Sequence, residues 1–549
     1  MSKSAVPVYL SNAMHKVTGI ILFGVGLAAA IQWAAFQPVP GYMDAEYYYA
    51  NALQLVNGQG LQEPFIWNYL ANPGGLPAHS FTYWMPLPSL VAAAGMSIFG
   101  SETFLAARSI FILSAAFLPL LVMALARKFT DDDSLIWTAG FLAIFSGFYT
   151  VFIAQTDSFV LIMLLGSCYA LAAFSGRQVF SNIRKSIPYF VGLGLLSGFF
   201  HLARADGLLW LGGSFAILFW HILESRGKSA GRTILFRFLI GAAMILGGYL
   251  AATGWWYARN ISVWGTLMPP GGLSTIWLAT YDQTFIYPAS GLSFNTWLES
   301  GWKAILDVRI NSFLQNLKTL LGVQQMVFLL PFTLAGLWRF RKLPVIKYFL
   351  LMWLAVFTIM TVVFPFAGAR GGYLHSGSVF QPLIWTLFPA GLQQFIKWGE
   401  AKRNWNARIA GKVFAFGFIA IAVVLSAAVY YIKIGVQDGG KEWTKSSAQY
   451  MRIANKLMEL KVDPSQIIMV NNPPGFYLAS ERYSIVIPDG EPESLLKAAN
   501  RYDASYLVLE QNHPAGLERL YNNPQCCQEL EFITSVNGAL IFRIHNVNK

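Results

Sequence analysis

The side chains that could carry chemistry lie in short polar segments between long apolar runs. Two carboxylates, Asp44 and Glu46, follow the first apolar run and precede three tyrosines. An ionisable group at the boundary between lipid and water can serve a reaction as an acid or a base. The alternative is structural: Asp44 would cap a helix over residues 45–56, and the tyrosines would form an interfacial aromatic belt.

Further charged residues lie at the ends of later apolar runs. Asp157 and Asp206 each begin such a run, where an aspartate serves either as a helix N-cap or as a functional group. Arg204 and Arg259 lie at predicted membrane edges, where a guanidinium can bind a phosphate through paired hydrogen bonds. Such an arginine could equally extend to lipid headgroups without a specific ligand.

Two other segments combine residue types that suit binding. A glycine-rich segment contains Arg370 and His375, which could hold an anionic group, although a flexible outer loop would have the same composition. His79, Tyr83 and Trp84 could line a sugar site through stacking and hydrogen bonds, or could anchor the chain at the membrane interface. Both interpretations of each segment stay open at this point.

The sequence requires no cofactor. It contains no phosphate-binding P-loop, dinucleotide fingerprint, zinc-protease helix or serine-nucleophile elbow. Three cysteines, Cys168, Cys526 and Cys527, are too few for a disulfide framework or a four-ligand zinc site. A divalent metal is possible, but no run of ligands along the sequence compels one.

The elements that position these residues must be membrane helices. Of the 549 residues, 55% are apolar and 12% are charged, against about 25% charged in soluble domains. Apolar runs of about 20 residues, the length that crosses a bilayer, recur up to about residue 434. The net charge of +12 is spread over basic clusters between these runs, a pattern that favours membrane orientation over nucleic-acid binding.

The apolar runs predict about eleven transmembrane helices. They cover residues 17–36, 103–126, 134–153, 158–175, 187–203, 206–223, 234–257, 323–338, 346–366, 379–396 and 412–433. A further run, 85–100, is short and opens with two prolines, which predicts a re-entrant or interfacial helix. All dense basic clusters then lie on one side of the membrane, so we predict a cytoplasmic N-terminus and outer loops at 37–84, 258–322 and 367–378.

The C-terminal part of the chain has a different character. From about residue 435 the sequence is richer in charge and turn residues, with short β-rich runs at 467–470, 484–487, 505–509 and 539–544. Helix-like stretches lie between these runs, which predicts a small α/β domain outside the membrane. We therefore divide the chain into a transmembrane domain, 1–434, and a soluble extracytoplasmic α/β domain, 435–549.

The order and common sidedness of these motifs resemble the GT-C superfamily of membrane glycosyltransferases, most closely its protein mannosyltransferase and aminoarabinose transferase branch. The resemblance covers about residues 15–400 and includes an acidic first outer loop, a proline-bearing segment before Phe99-Gly100, and an acidic turn at Asp157. Its other parts are Ala106-Ala107-Arg108, the turn from His201 to Gly207, and the run Trp256-Tyr257-Ala258-Arg259-Asn260.

The resemblance implies an integral membrane enzyme that moves a sugar from a polyprenyl-phosphate donor to a protein, lipid or glycan acceptor on the outer side of the membrane, with inversion. It implies catalytic roles for Asp44 and Asp157, with Glu46 as a second match in the first loop. One departure concerns Trp84, which stands before the paired prolines where related transferases often have a basic residue. Contact with the donor phosphate is then assigned to Arg259, Arg370, His375 and Arg204.

Two other function classes fit a chain with many spans. A transporter or lipid flippase would also place polar groups among membrane helices, although no pair of interrupted helices related by a repeat is evident. A catalytically silent protein could bind a partner through residues 435–549. Analysis of reaction products separates these classes, because only a transferase makes a new glycosidic bond.

Overall fold

The computed structural model of the chain describes residues 8–179, 183–225 and 231–545. Within these ranges eight helices are long and apolar enough to cross a membrane. They are Val17–Ala35, Phe104–Ala126, Phe159–Gly176, Lys185–Ala203, Ala205–Glu224, Thr233–Trp264, Pro344–Val363 and Ala407–Ile434. Each coincides with one of the predicted spans, so the prediction of a polytopic helical membrane protein is confirmed.

The other three predicted spans form helices that are shorter or more polar. Residues 134–153 divide into Asp133–Ile144 and a 3-10 turn, Gly147–Val151, because Gly147 adopts a positive φ of 63° between them. The run 323–338 begins in the π-helical segment Thr319–Gln324 and continues, after an irregular stretch, in the helix Leu330–Phe340, which has a proline in its first turn. The run 379–396 lies in Gln381–Arg403, a long and largely buried helix with polar residues towards both ends.

The helices and strands are numbered in chain order. The helices are α1 (Val8–Ala35), α2 (Met43–Val56), α3 (Leu87–Phe99), α4 (Phe104–Ala126), α5 (Asp133–Ile144), α6 (Phe159–Val179), α7 (Ile183–Ala203), α8 (Leu209–Ser225), α9 (Gly231–Trp264), α10 (Pro270–Ser274), α11 (Phe294–Glu299), α12 (Trp302–Lys318), α13 (Leu330–Phe340), α14 (Pro344–Thr358), α15 (Pro365–Ala367), α16 (Tyr373–Gly377), α17 (Gln381–Arg403), α18 (Ala407–Ile434), α19 (Lys441–Glu459), α20 (Pro473–Ser480), α21 (Pro492–Tyr502) and α22 (Glu518–Asn522). The strands are β1 (Gln62–Glu63), β2 (Phe65–Ile66), β3 (Ala78–His79), β4 (Ile467–Val470), β5 (Ser484–Val486), β6 (Ala504–Leu509), β7 (Leu530–Val536) and β8 (Ala539–Ile544).

The short run at 85–100 forms α3, a helix of 13 residues. At 1.5 Å per residue it is about 20 Å long, less than the roughly 30 Å of a hydrocarbon core. It begins with Pro88 in its first turn and ends at Gly100, whose φ of 58° stops the helix. Because α3 packs against α2 and α4, it lies beside these helices and does not cross the membrane by itself.

The acidic first loop and the basic pair Arg127-Lys128 lie at opposite ends of α4. At one end, the Tyr49 hydroxyl donates to the Glu102 carbonyl oxygen at 2.7 Å, which ties α2 to the start of α4. At the other end, Gln393 of α17 donates to Thr130 at 3.3 Å, close to the basic pair after α4. The predicted basic loops 177–185 and 226–237 lie partly outside the described residues. Which of the two faces is cytoplasmic stays a prediction.

The C-terminal residues form a sheet with strand order β2-β5-β4-β6-β8-β7. Four of its strands match the predicted β-rich runs, and the sheet is covered by buried side chains of α19 and α21. Strand β2 comes from the first outer loop and pairs in parallel with β5, with Phe65 opposite Ser484. The α/β character of this region is confirmed, and the first outer loop is built into the same sheet. The division of the chain at residue 435 stays a prediction.

Candidate functional site

Three side chains that are far apart in the sequence meet near the ends of the helices. Asp44 lies in the first turn of α2, Asp157 stands two residues before α6, and His375 lies in α16. The His375 Nε2 atom is 3.1 Å from Asp157 Oδ2 and 3.6 Å from Asp44 Oδ2. One imidazole therefore lies between two carboxylates.

The start of α2 directs Asp44 into this cluster. The helix begins at Met43, and its N-cap residue is Tyr42, whose side chain makes no capping hydrogen bond. The alternative in which Asp44 caps a helix beginning at residue 45 is therefore wrong. The Asp44 carboxylate keeps 29% of its surface exposed, which makes it the most accessible member of the cluster.

Asp157 is the buried member, with 1% of its side chain exposed. Its Oδ2 accepts a hydrogen bond from the Tyr42 hydroxyl at 2.8 Å, and its Oδ1 accepts one from the Ser158 backbone N–H at 2.5 Å. Burial alone would raise the pKa of this carboxyl, but the charge and hydrogen bond of His375, with those two donors, lower it overall. Asp157 is thus a fixed negative charge whose oxygens are already engaged.

His375 is held from both sides of its ring. Its Nδ1 lies 2.9 Å from the Gly371 carbonyl oxygen, its Nε2 faces the carboxylates, and the ring stacks on Phe159 with 3.9 Å between centroids. Burial lowers the pKa of the imidazole, yet the charge and hydrogen bond of Asp157 outweigh burial and raise it. Because both ring nitrogens face acceptors, the imidazolium form satisfies the site best.

The pKa of Asp44 moves in the opposite direction from that of Asp157. Burial raises it to about 6, and repulsion by Asp157 adds to the rise. The attraction of His375 and of Arg204 opposes the shift without cancelling it. A partly exposed carboxylate with a pKa near 6 is suited to accept a proton from a substrate.

The same three residues could hold a divalent cation. Each offers one ligand atom, and these atoms lie within 4.8 Å of one another. Two carboxylate oxygens and an imidazole nitrogen form a common ligand set for zinc or manganese. To bind a cation, His375 would release the Nε2 proton that it shares with the carboxylates. The residues fit a metal but do not require one.

Aromatic residues line the region beside α2. The rings of Trp84 and Trp67 stack at 4.1 Å, and Tyr83 meets Trp67 edge-on at 5.0 Å. His79 is exposed at the end of β3, with its ring 6.5 Å from that of Trp264. Of the three predicted substrate-binding residues, Tyr83 and Trp84 therefore belong to one aromatic cluster, and His79 lies apart from it.

The predicted phosphate-binding arginines have different surroundings. Arg204 pairs with Asp206 at 2.9 Å, and its charge acts on Asp44. Asp206 therefore binds a side chain instead of capping a helix. Arg370 is exposed and lies over the ring of Tyr281 at 3.8 Å. Arg259 donates to the Ser80 carbonyl oxygen at 2.8 Å, so part of its guanidinium is already bonded next to the β1–β3 strand pair.

Glu46 faces away from the cluster. It is 2% exposed, and its Oε2 accepts a hydrogen bond from Asn472 of the C-terminal region at 2.7 Å. Burial raises the pKa of this carboxyl to about 7. Asp44 and Glu46 thus have separate partners although they are two residues apart.

Sequence reasoning missed several residues of the site. The Tyr42 hydroxyl donates to Asp157, and Trp67 forms the aromatic stack with Trp84. Tyr281, which the sequence places in the loop 258–322 as a residue that helps to select the acceptor, lies under the guanidinium of Arg370. Glu63 lies buried beside Tyr47, and burial raises its pKa to about 8. The position of Tyr42, between the first span and the loop carboxylates, was the one signal in the sequence. The contacts of Trp67 and Glu63 depend on long-range packing.

The fold is similar to that of known membrane glycosyltransferases. No protein-family model matches the chain, and no curated protein matches it. The structure of ArnT from Cupriavidus metallidurans bound to undecaprenyl phosphate is 13% identical, with a TM-score of 0.54 over 96% of this chain and 98% of that one. The apo oligosaccharyltransferase of Archaeoglobus fulgidus is 12% identical, with a TM-score of 0.50 over 90% of this chain and 69% of that one. The expected GT-C fold is thereby confirmed.

Proposed function

We propose that this chain, which has the GT-C fold, is a glycosyltransferase that moves a hexosyl or pentosyl group from a polyprenyl-phosphate donor to a protein, lipid or glycan acceptor, with inversion. The observation that carries the proposal is the cluster of Asp44, His375 and Asp157. An accessible carboxylate with a pKa near 6 lies beside a fixed pair of opposite charges. This arrangement suits the activation of an acceptor hydroxyl or amine.

Asp44 acts as the base in this proposal. It accepts the proton of the acceptor nucleophile while that atom attacks the anomeric carbon of the sugar. Asp157 keeps His375 protonated and oriented, and the imidazolium draws the Asp44 carboxylate into place. The attack and the departure of the phosphate occur on opposite faces of the sugar, so the configuration inverts in one displacement without a covalent enzyme intermediate.

Arg204 and Arg370 bind the leaving phosphate in this proposal. The bond between the anomeric carbon and the phosphate oxygen breaks, and its electrons stay on the phosphate, where guanidinium groups stabilise the charge. Arg204 acts electrostatically on Asp44, and Arg370 is exposed at the same outer end. Tyr83 and Trp84 belong to the aromatic cluster beside α2 and offer a face for the sugar ring.

The donor class is supported by the ArnT structure, which was solved with undecaprenyl phosphate. Asp157 directly precedes a helix that is long and apolar enough to cross a membrane, which supports a position of the cluster at the membrane edge, where the headgroup of such a lipid lies. We place this edge on the extracytoplasmic side, together with residues 435–549, because the topology predicted from the sequence has the basic clusters at the opposite ends of the helices. A divalent cation, when bound by Asp44, Asp157 and His375, would neutralise charge on the donor phosphate.

The test is product formation by the purified protein. We would supply a panel of polyprenyl-phosphate sugars together with peptide, lipid and glycan acceptors, and would identify products by mass spectrometry. The proposal predicts a glycosylated acceptor and free polyprenyl phosphate in equal amounts. If sugar lipid instead crosses the membrane of reconstituted vesicles with no new glycosidic bond, the protein is a transporter and the proposal is wrong.

A further inference from the structure

The C-terminal region contacts the start of α2 at Gly41. The ring of Trp443, in α19, lies against this glycine, and its indole N–H donates to the Val39 carbonyl oxygen at 2.8 Å. A Cβ atom at Gly41 would lie 2.2 Å from the indole ring. Only glycine fits under Trp443, so the backbone that leads into α2 is held against the C-terminal region.

This contact continues into the carboxylate cluster. The ring of Trp443 meets the ring of Tyr42 nearly edge-on, with 5.9 Å between centroids. The Tyr42 hydroxyl donates to Asp157 at 2.8 Å, and Asp157 in turn binds His375. A residue of the C-terminal region is thus one side chain removed from the buried carboxylate.

A second contact holds α2 from another side. Asn472 precedes α20 and uses both ends of its amide. Its Oδ1 accepts the Gly475 N–H at 3.2 Å, which caps α20, while its Nδ2 donates to Glu46 at 2.7 Å. A Cβ atom on Gly475 would lie 2.8 Å from Glu46 Oε2. The first turn of α2, which carries Asp44, is therefore bonded to the first turn of α20.

We propose that the C-terminal region positions the carboxylate cluster: Trp443 through Tyr42, and Asn472 through Glu46, fix the first turn of α2 so that Asp44 meets His375. Glu46 is then a positioning residue and takes no part in proton transfer. The inference rests on the proposed function for its kinetic consequences. A displacement of about 1 Å at a reacting group can cost up to about 100-fold in rate, so the bonds that fix this turn control the reaction.

The Glu46–Asn472 pair allows a test by exchange of its two groups. Glu46→Gln keeps an oxygen that accepts from Asn472, so we expect kcat within about threefold of wild type, whereas loss of a catalytic carboxyl costs about 100-fold or more. Asn472→Asp keeps the cap on α20 but places a second carboxylate against Glu46, and we expect kcat to fall about tenfold with the donor KM little changed. The double variant again pairs an amide with a carboxylate and should recover most of the loss.

The matched control is Tyr502→Phe. The Tyr502 hydroxyl donates to the Pro73 carbonyl oxygen at 3.0 Å, so it also joins the C-terminal region to the first outer loop, but this bond does not lead to the cluster. We expect this variant to keep wild-type kcat. Hydrogen exchange of the peptide covering residues 41–50 provides a readout without activity: it should speed up in Asn472→Asp and slow again in the double variant.

Each outcome decides the proposal. Asn472→Asp with wild-type kcat, or a double variant no better than Asn472→Asp, overturns the positioning role. A 100-fold loss of kcat in Glu46→Gln would show that Glu46 is catalytic, and this result also overturns the positioning role. If the wild-type protein makes no product with any donor, the proposed function fails, and the exchange rates still decide whether Asn472 holds α2. Unchanged exchange in all variants contradicts the inference.

Discussion

At the scale of single residues, the carboxyls of Asp44 and Asp157 have opposite pKa shifts, which suit them to different roles. Asp157 is buried with three partners, and its pKa is lowered by His375, Tyr42 and the Ser158 N–H against the effect of burial. Asp44 is more exposed, has fewer donors, and burial with the nearby Asp157 charge raises its pKa to about 6. This separation of the two pKa values assigns the role of base to Asp44 and the role of orienting charge to Asp157.

The pH dependence of the rate follows from the Asp44 pKa. A base works only when ionised, so kcat/KM, which reports the pKa values of the free enzyme, should fall about tenfold per pH unit below about pH 6 and be flat from there to neutrality. Arg204→Gln removes an attraction that lowers the Asp44 pKa, and therefore should move the acid limb to higher pH. Initial rates of sugar transfer between pH 4.5 and 8 would measure both effects. The control is Glu102→Gln, which removes an exposed carboxylate. An acid limb that moves to lower pH in Arg204→Gln would contradict this account.

At the scale of elements, the position of His375 depends on wide helical turns. Two π-helical segments, Thr319–Gln324 and Ile359–Val363, precede the short helix that carries it, and a kink within Gly368–Gly372, where Arg370 and Gly371 leave helical geometry, comes directly before that helix. Asn316 of α12 donates to the Met360 carbonyl oxygen at 3.2 Å and to Thr361 at 3.0 Å, which satisfies polar groups that the wide turns leave open. Such turns are often found at functional sites.

A substitution at Gly368 tests the importance of these turns. A Cβ atom there would lie 1.7 Å from the Met360 carbonyl oxygen, which is backbone and cannot turn aside. Gly368→Ala should therefore lower the stability by about 1–3 kcal/mol and reduce the transfer rate, because the segment before His375 must shift. Thermal unfolding in detergent and initial rates would measure both. Gly322→Ala is the control, since its Cβ would meet nothing within 4 Å; an equal effect of the two variants would refute the argument.

The elements differ in how far the sequence predicts them. The long spans follow from composition, because a run of about 20 apolar residues has few alternatives to a membrane helix. The wide turns do not, since the hydropathy of residues 359–363 is the same in an α-helix and in a π-turn. Strand β2 has two residues and exists only because β5 lies beside it. The pairing of β2 with β5 is a long-range contact, and no local sequence pattern indicates it.

At the scale of the whole molecule, the site is assembled from segments throughout the chain. The sequence and its resemblance to GT-C enzymes pointed to Asp44, Asp157 and His375 individually, and assigned His375 to the donor phosphate. The contact between the three, and the bond from Asn472 to Glu46, depend on packing over hundreds of residues. The motifs therefore named these residues one by one, while the contacts between them required the structure.

The central claim is that Asp44 is the base of a sugar transfer from a polyprenyl phosphate. Its most direct test is the initial transfer rate of Asp44→Asn at saturating donor and acceptor, compared with wild type. The amide keeps the size of the side chain but cannot accept the proton, so we expect a loss of at least about 100-fold, with donor binding retained. A rate within about twofold of wild type would contradict the claim.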